Sequence, residues 1–291
     1  MAVFDRSRHA GHRRRAARDF RDHDFLFREV AERLGDRLLD IDRRFEQALV
    51  IGGRGLLPSA LVGPDRRVER TFTMDLVADF AGVGTGPAVV ADEEFLPFAP
   101  GSFDLVFSAL SLHWVNDLPG ALVQLRRALR PDGLLLVALP GGGTLQELRQ
   151  AMMLAELEIE NGASPRVSPF TDIRDAGGLL QRAGFALPVA DGEPIAVNYG
   201  DPFRLLLDLK GMGEQNAVLA RRKTFLRRET LMRAMEIYRT EFGDREGRVP
   251  ATFQIITLTG WAPDPSQQQP LKPGSAGARL AAALGTDETK L

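Results

Sequence analysis

Residues 102–139 read SFDLVFSALSLHWVNDLPGALVQLRRALRPDGLLLVAL. Residues 103–107 and 134–139 are short, nearly continuous apolar runs, which are typical of strands buried on both faces of a parallel sheet. Between them, leucines recur at helical spacing, at positions 118, 122, 125 and 129. A strand, a helix, a Pro-Asp-Gly turn and a second strand predict a right-handed crossover unit. We therefore expect a doubly wound α/β domain.

Further elements extend this unit on both sides. Other apolar runs predict strands at 47–51, 71–74, 88–90, 185–189, 195–199 and 252–259. Helix signals predict helices at 144–160, 172–183, 202–210 and 228–242. We expect a domain over residues 45–262 with a helical insertion over 200–249. A helical cap over 1–44 precedes it, and a disordered tail over 263–291, rich in Pro, Gln, Gly and Ser, follows.

Composition excludes several classes of function. The 291 residues are 44% hydrophobic and carry a net charge of −2, so no global field attracts nucleic acid. Without cysteine the chain has no disulfide, thiolate nucleophile or thiolate metal ligand. No apolar run has the length of a membrane span, and the first residues lack an apolar signal segment. We expect a cytoplasmic protein; its oligomeric state is not predicted.

The first segment is rich in arginine but also contains acids. Arg13, Arg14 and Arg15 are consecutive, and aspartates are interleaved through the segment. One interpretation is a solvated helix face. The other is a dock for an acidic partner or a wall of the substrate cleft.

Residues 91–140 place an acidic turn, a buried strand, an aromatic-bearing loop, a helix, a Pro-Asp-Gly turn and another strand in one order. This order resembles the second half of a class I S-adenosylmethionine (SAM) methyltransferase domain. The resemblance implies a Rossmann-like sheet of seven mostly parallel strands, with SAM as cofactor. On pattern alone, any other doubly wound α/β domain remains an alternative.

The ligand of such a sheet binds outside the carboxyl ends of its strands. The glycine turn after the first strand allows close approach of the backbone to a ligand, and it contains Gly52, Gly53 and Gly55. Asp75, at the end of the second strand, is placed to accept the ribose hydroxyls. An ordinary tight turn and a helix cap are the respective alternatives.

Two further positions follow from the resemblance to SAM domains. An acid after the third strand holds the adenine amino group there, which points to Asp92 with Glu93 beside it. Ser108, at the end of the fourth strand, would line the methionine side. The glycine turn departs from the usual pattern, because it is one residue short and lacks an acid at the end of the first strand.

Longer runs resemble a more specific family, the mitochondrial complex I assembly factor 5 family and its bacterial relatives. The likeness covers nearly the whole chain up to about Trp261, and a more distant one is to the malonyl-carrier-protein methyltransferases of biotin synthesis. The resemblance to the assembly factor 5 family rests on residues 4–6 (FDR), 15–18 (RAAR), 91–98, 111–119 (SLHWVNDLP), 142–149 (GGTLQELR), 164–170 (SPRVSPF), 209–216 (LKGMGEQN) and 249–254 (VPATFQ).

This resemblance implies an enzyme that acts on a protein substrate during assembly of respiratory complex I. The leading interpretation is a SAM-dependent enzyme that transfers a methyl group. The alternatives are hydroxylation of an arginine in an iron–sulfur subunit, which the resemblance implies for the eukaryotic relatives, and a non-catalytic assembly role. Iron-dependent oxygenases commonly use two histidines and a carboxylate. Only His9 and His12 are close neighbours in the sequence, so we predict no metal site.

The loop after the fourth strand carries the residues expected at the reaction centre. His113 is a candidate general base, and Trp114 is a candidate wall that stacks on a cation. Packing under the following helix is the alternative for both. The side chains expected to contact the substrate are Asp117, Tyr199, Met212 and Asn216.

Overall fold

A seven-stranded sheet forms the centre of the protein in the computed structural model, which describes residues 2–82 and 86–268. Its strand order is β3-β2-β1-β4-β5-β7-β6. β1 to β5 run parallel, whereas β7 is antiparallel to both neighbours. The predicted mostly parallel sheet is confirmed. The strands are β1 (Phe45–Ile51), β2 (Val68–Asp75), β3 (Ala88–Val90), β4 (Phe103–Ala109), β5 (Leu129–Pro140), β6 (Ala186–Tyr199) and β7 (Val249–Trp261).

Helices cover both faces of this sheet. Alternate residues of β1 point to opposite faces, so Val50 joins one apolar cluster with α2, and Leu49 joins another with α5. The helices are α1 (Arg6–Ala16), α2 (Phe25–Leu39), α3 (Ser59–Val62), α4 (Ala78–Ala81), α5 (Leu118–Ala128), α6 (Gln146–Glu160), α7 (Ile173–Arg182), α8 (Pro202–Gly211) and α9 (Arg228–Phe242).

The edge strand β6 differs from its prediction. Residues 185–189 and 195–199 were expected as separate strands, but β6 is one strand of 14 residues that pairs with β7 along its length. Gly192 and Pro194 suggested a turn between them. A strand at a sheet edge tolerates proline, because the missing N–H can face away from its only neighbour. The predicted strand at 252–259 lies within β7.

Some expectations fall on residues outside the described part. Most of the predicted disordered tail, residues 269–291, is not among the described residues. No helix of residues 2–82 and 86–268 combines the length and the apolar character needed to cross a membrane.

Helix α1 lies across the carboxyl ends of the strands. The backbone N–H of Asp5 donates to the carbonyl of Ala217 at 2.8 Å, and Phe4 forms an antiparallel bridge with Val218. The carboxylate of Asp5 caps the helix by accepting from the N–H of Arg8. The sequence of α1, RSRHAGHRRRA, has no apolar stripe. Polar contacts therefore position this helix.

Candidate cofactor and substrate site

The glycine turn follows β1 directly and is filled by protein atoms. Gly52 has a φ of +67°, and a Cβ there would lie 2.2 Å from the hydroxyl oxygen of Ser111. Both facts require glycine at this position. Arg54, with a φ of +49°, turns its side chain into the protein interior. The predicted turn exists, and its concave side faces Ser111.

Asp75 ends β2 and is buried. Its Oδ2 accepts a hydrogen bond from Nη2 of Arg13, and its Oδ1 accepts one from the N–H of Val77 at 3.1 Å. Burial raises the pKa of Asp75, although the charge of Arg13 opposes that shift. Both carboxylate oxygens predicted to bind ribose therefore already have protein partners.

Asp92 and Glu93 follow β3 and share one cation. Nη2 of Arg6 donates to Oδ1 of Asp92 at 2.6 Å and also contacts Oε2 of Glu93. The hydroxyl of Ser111 donates to the other oxygen of Glu93 at 2.8 Å. The acids predicted to hold adenine thus lie where the sequence placed them, and a residue of α1 neutralises them.

Arg54 connects the glycine turn to the substrate side. Its guanidinium lies 3.9 Å from the ring centroid of Phe27, donates to the carbonyl of Met212 and pairs with Glu214. Burial, reinforced by the charge of Arg13, lowers the pKa of Arg54 to about 10. We refer to Arg6, Arg13 and Arg54, with the carboxylates Asp75, Asp92, Glu93 and Glu214, as the arginine cluster.

Several buried donors near this cluster lack partners. Among the described residues, no hydrogen bond reaches Nε and Nη1 of Arg13, either ring nitrogen of His9, or the hydroxyl of Ser108. Ser108 is fully buried at the end of β4 rather than lining an open pocket. Unpaired buried polar groups destabilise the arrangement that contains them. The packing of α1 on the core therefore leaves buried polar groups without hydrogen bonds.

The carboxylate of Glu214 accepts hydrogen bonds from the loop after β4. Its Oε2 accepts from Nε1 of Trp114 at 2.7 Å and lies 3.0 Å from Nε2 of His113. Burial alone would raise the pKa of Glu214, but the charge of Arg54 and the contact with His113 outweigh burial and lower it well below its usual range. Glu214 is therefore a carboxylate at neutral pH.

Trp114 is packed on several sides. His9 stacks on it with ring centroids 4.5 Å apart, and Phe4 approaches it edge-on at 5.3 Å. Trp114 is 1% exposed. One face of the indole is thus unavailable to the cation that the sequence suggested it would receive.

A cavity of about 340 Å³ lies beside Glu214. Its walls are mostly apolar, and His113, Trp114, Met212 and Asn216 are among the residues that line it. Two of the predicted substrate residues lie elsewhere, namely Tyr199 in the core and Asp117 at the start of α5, where its carboxylate caps the helix by accepting from the N–H of Gly120 at 2.9 Å. The cavity is the only place where predicted catalytic and substrate residues meet in the described part of the chain.

The sequence analysis allowed the first segment to form a wall of the cleft, but it missed the contacts of α1 with the predicted cofactor residues. Arg6, His9 and Arg13 are spaced by three and four residues, which puts them on one helix face, and all contact the site. The solvated-face interpretation is wrong for Arg13, which is fully buried, although it holds for exposed Arg14. The polar residues that repeat at helical spacing in α1 were the pattern that could have indicated this buried face.

The histidines are not arranged as metal ligands. His12 contacts the carbonyl of Gln215 through Nδ1 at 3.1 Å, whereas His9 stacks on Trp114. Within residues 2–82 and 86–268, no group of three or more histidine, aspartate or glutamate side chains is placed to hold a metal ion.

Comparison with known proteins agrees with the fold and narrows the family. A methyltransferase-domain family profile matches residues 52–137. The YcgJ protein of Bacillus subtilis has a similar structure, with a TM-score of 0.53 and 14% identity over 79% of this chain and 98% of that one, which supports the fold alone.

Similarity in sequence reaches further. The mitochondrial arginine-hydroxylase NDUFAF5 of Danio rerio is 44% identical over 97% of this chain and 89% of its own length. The human protein of the same name is 43% identical over 95% of this chain and 81% of its own. The malonyl-[acyl-carrier protein] O-methyltransferase of Halorhodospira halophila is 35% identical, with 81% of each chain covered.

These relatives correct one expectation. The arginine-hydroxylases of fish, mammals and Dictyostelium discoideum are all named mitochondrial, so the expected cytoplasmic location is wrong. The features that suggested it, no cysteine and no apolar leader, do not separate one reducing compartment from another. The predicted enzyme with a methyltransferase fold is confirmed, and the chain belongs to the family of the mitochondrial arginine-hydroxylase NDUFAF5.

Proposed function

We propose that this chain modifies an arginine side chain of a protein substrate, and that the modification is hydroxylation. The observation that carries the proposal is the cavity of about 340 Å³ that is lined by the partly buried carboxylate of Glu214. An arginine has an apolar stem and a planar charged head. Apolar walls with one carboxylate among the lining residues match both parts.

The contacts of Glu214 favour a guanidinium ligand. A carboxylate offers about four acceptor positions. Arg54, His113 and Trp114 use three of them, which leaves one on Oε1. We propose that His113 and Trp114 orient Glu214 and that the remaining position accepts an N–H of the substrate arginine.

Hydroxylation replaces a C–H bond of the arginine stem by C–OH. In the balanced step the oxygen atom comes from dioxygen, and the second atom leaves as water after it takes up two electrons and two protons, with the electrons coming from a two-electron reductant outside this chain. Methyl transfer would instead replace a hydrogen on a guanidinium nitrogen by a methyl group. The names of relatives 43–44% identical to this chain favour hydroxylation, and the two products differ in mass.

SAM is the cofactor that we propose for the carboxyl ends of β1 to β4, on the strength of the fold and the family profile. Gly52, Gly53, Gly55, Asp75, Asp92 and Glu93 would hold it, and when bound it supplies a methyl group activated by a sulfonium. With α1 docked, Arg13 covers Asp75, whose side chain is 2% exposed, and Arg6 pairs with Asp92 and Glu93, so the arrangement does not fit SAM. We derive no reaction step through it.

We also propose how the segments of the chain are arranged around the cavity. Residues 1–44 cap the core over residues 45–262, and residues 200–249 close the cavity. Support comes from Leu206 and Leu209 of α8 and from Leu226, all of which line the cavity.

The proposed substrate is an iron–sulfur subunit of respiratory complex I. Mass spectrometry of arginine peptides from that complex tests it, in strains with and without this gene. We expect one arginine to carry an added oxygen only when the gene is present. Identical peptide masses in both strains would reject catalysis.

A second function is favoured by the filled cofactor site. Since α1 neutralises Asp75, Asp92 and Glu93, the chain could assist assembly without modifying its partner. Trp114→Phe separates the two functions, because it keeps the ring but removes the N–H that reaches Glu214. It would lower modification of the arginine, and assembly of complex I would be undiminished if the role is non-catalytic.

A further inference from the structure

The arginines of α1 present the same hydrogen-bond donors as an adenosyl group. Ribose offers two hydroxyls and adenine offers an amino group, and all donate to carboxylates. Nη2 of Arg13 donates to Asp75, and Nη2 of Arg6 donates to Asp92. Both guanidiniums also carry positive charge, which strengthens their bonds over those of neutral donors.

We propose that α1 is an internal occupant of the cofactor site, so that SAM binds only when α1 withdraws. The inference rests on the proposed cofactor. Arg13 and the ribose compete for Asp75, while Arg6 and the adenine compete for Asp92 and Glu93. Docking of α1 and binding of SAM are then mutually exclusive states of one protein.

The composition of α1 makes withdrawal inexpensive. Its non-polar residues are Ala10, Gly11 and Ala16. Release therefore exposes charged groups that water solvates, and the apolar surface that it uncovers lies mainly on the ring faces of Trp114 and Phe80, which His9 and Arg13 cover. Helix α2, by contrast, buries Phe27, Leu34 and Leu38 and stays with the core.

The docked state also contains unsatisfied groups that release would relieve. Nε and Nη1 of Arg13 and both nitrogens of His9 have no partner among the described residues. Burial, followed by the charge of Arg13, lowers the pKa of His9 well below its ordinary value. A withdrawn α1 gives these groups access to water, which offsets part of the lost ion pairing.

The attachment of α1 at its first residues offers a lock. Val3 accepts at its carbonyl from the N–H of Leu219 at 2.8 Å, and both side chains are exposed, at 38% and 41%. Directly opposed residues of an antiparallel pair have Cα atoms about 5.5 Å apart, which suits a disulfide. Because the chain has no cysteine, Val3→Cys with Leu219→Cys gives one tether that a reductant opens.

The test measures binding of S-adenosylhomocysteine by calorimetry to the full chain with this tether oxidised or reduced. We expect reduction to raise the affinity at least about tenfold, because the binding-competent fraction increases. Equal affinities of the two forms would overturn the occlusion while leaving SAM binding intact. No binding to either form, nor to Arg6→Ala below, would overturn both the occlusion and the proposed cofactor.

Arg6→Ala provides a second measurement that does not depend on a tether. Arg6 is 14% exposed and Asp92 28% exposed, so water replaces that contact. Glu93 is 1% exposed and keeps the hydrogen bond from Ser111, and a thermal scan of the variant checks that the fold survives. Affinity should rise about tenfold, the factor equivalent to one charge-assisted hydrogen bond. Arg14→Gln, on the exposed face of the same helix, is the matched control and should leave affinity unchanged. Weaker binding by Arg6→Ala would mean that Arg6 holds the ligand, and it would overturn the proposal.

Hydrogen exchange of the wild-type chain decides between occlusion and a lid. If α1 is displaced, the amides of Arg6–Ala16 exchange faster when S-adenosylhomocysteine is bound. If α1 instead closes over the ligand, the same amides become protected, and the proposal is overturned.

Discussion

Replacing Glu214 by glutamine should destabilise the protein strongly. The amide cannot balance the charge of Arg54, whose side chain is fully buried and whose other acceptor is the carbonyl of Met212. Removing one partner of a buried ion pair costs about 3–5 kcal/mol. For a chain of this size, each kcal/mol lowers Tm by about 2–4 °C. Glu214→Gln should therefore lower Tm by roughly 6–20 °C.

Urea unfolding and thermal scans measure this loss, with Glu246→Gln as the control. Glu246 pairs with Arg248 at the surface, where it is 71% exposed, so its replacement should cost less than about 0.5 kcal/mol. Combining Glu214→Leu with Arg54→Met removes both charges and should recover most of the stability. A cost below about 1 kcal/mol for Glu214→Gln, with no recovery in the double variant, would refute the buried pair.

Three further predictions concern acid, backbone and substrate. Burial and neighbouring arginines lower the pKa of His12 to about 4. Below about pH 6.5 the unfolded chain therefore binds a proton at His12 that the folded chain does not bind. The free energy of unfolding should fall from pH 7 to pH 5, and His12→Gln should flatten that slope. Gly52→Ala should cost about 1–3 kcal/mol in urea unfolding, since its Cβ would meet Ser111 at positive φ, whereas Gly142→Ala, with no neighbour within 4 Å, should be nearly neutral; equal costs would contradict the packing described. Trp114→Phe keeps the ring but removes the N–H that reaches Glu214, so modification of the target arginine, measured by mass spectrometry, should fall about tenfold, and undiminished modification would restrict Trp114 to packing.

The sequence predicted the positions of Asp75, Asp92 and Ser108 because parallel strands bring their carboxyl ends to one edge. β2 and β4 each pair with β1, so residues far apart in the chain become neighbours at that edge. Local patterns of apolar residues were enough to identify those strands.

The contacts of α1 were out of reach for the same reasoning. Arg13 and Asp75 are separated by 62 positions. A helix without an apolar stripe marks its buried face only by polar residues at helical spacing, and a solvated helix shows the same pattern. The sequence predicted two strands in place of β6 because Gly192 and Pro194 are turn residues in most settings. The sequence alone does not reveal that this strand has a single neighbour, where proline is tolerated.

The source of the atom added to the target arginine tests the central claim most directly. Cells that contain this chain are supplied in parallel with isotopically heavy dioxygen or with methionine labelled in its methyl group. The account predicts that the arginine acquires the oxygen label, and that cells carrying Trp114→Phe, which lacks one donor to Glu214, acquire about a tenth as much. Incorporation of the methyl label, or of neither label, would contradict hydroxylation in this cavity.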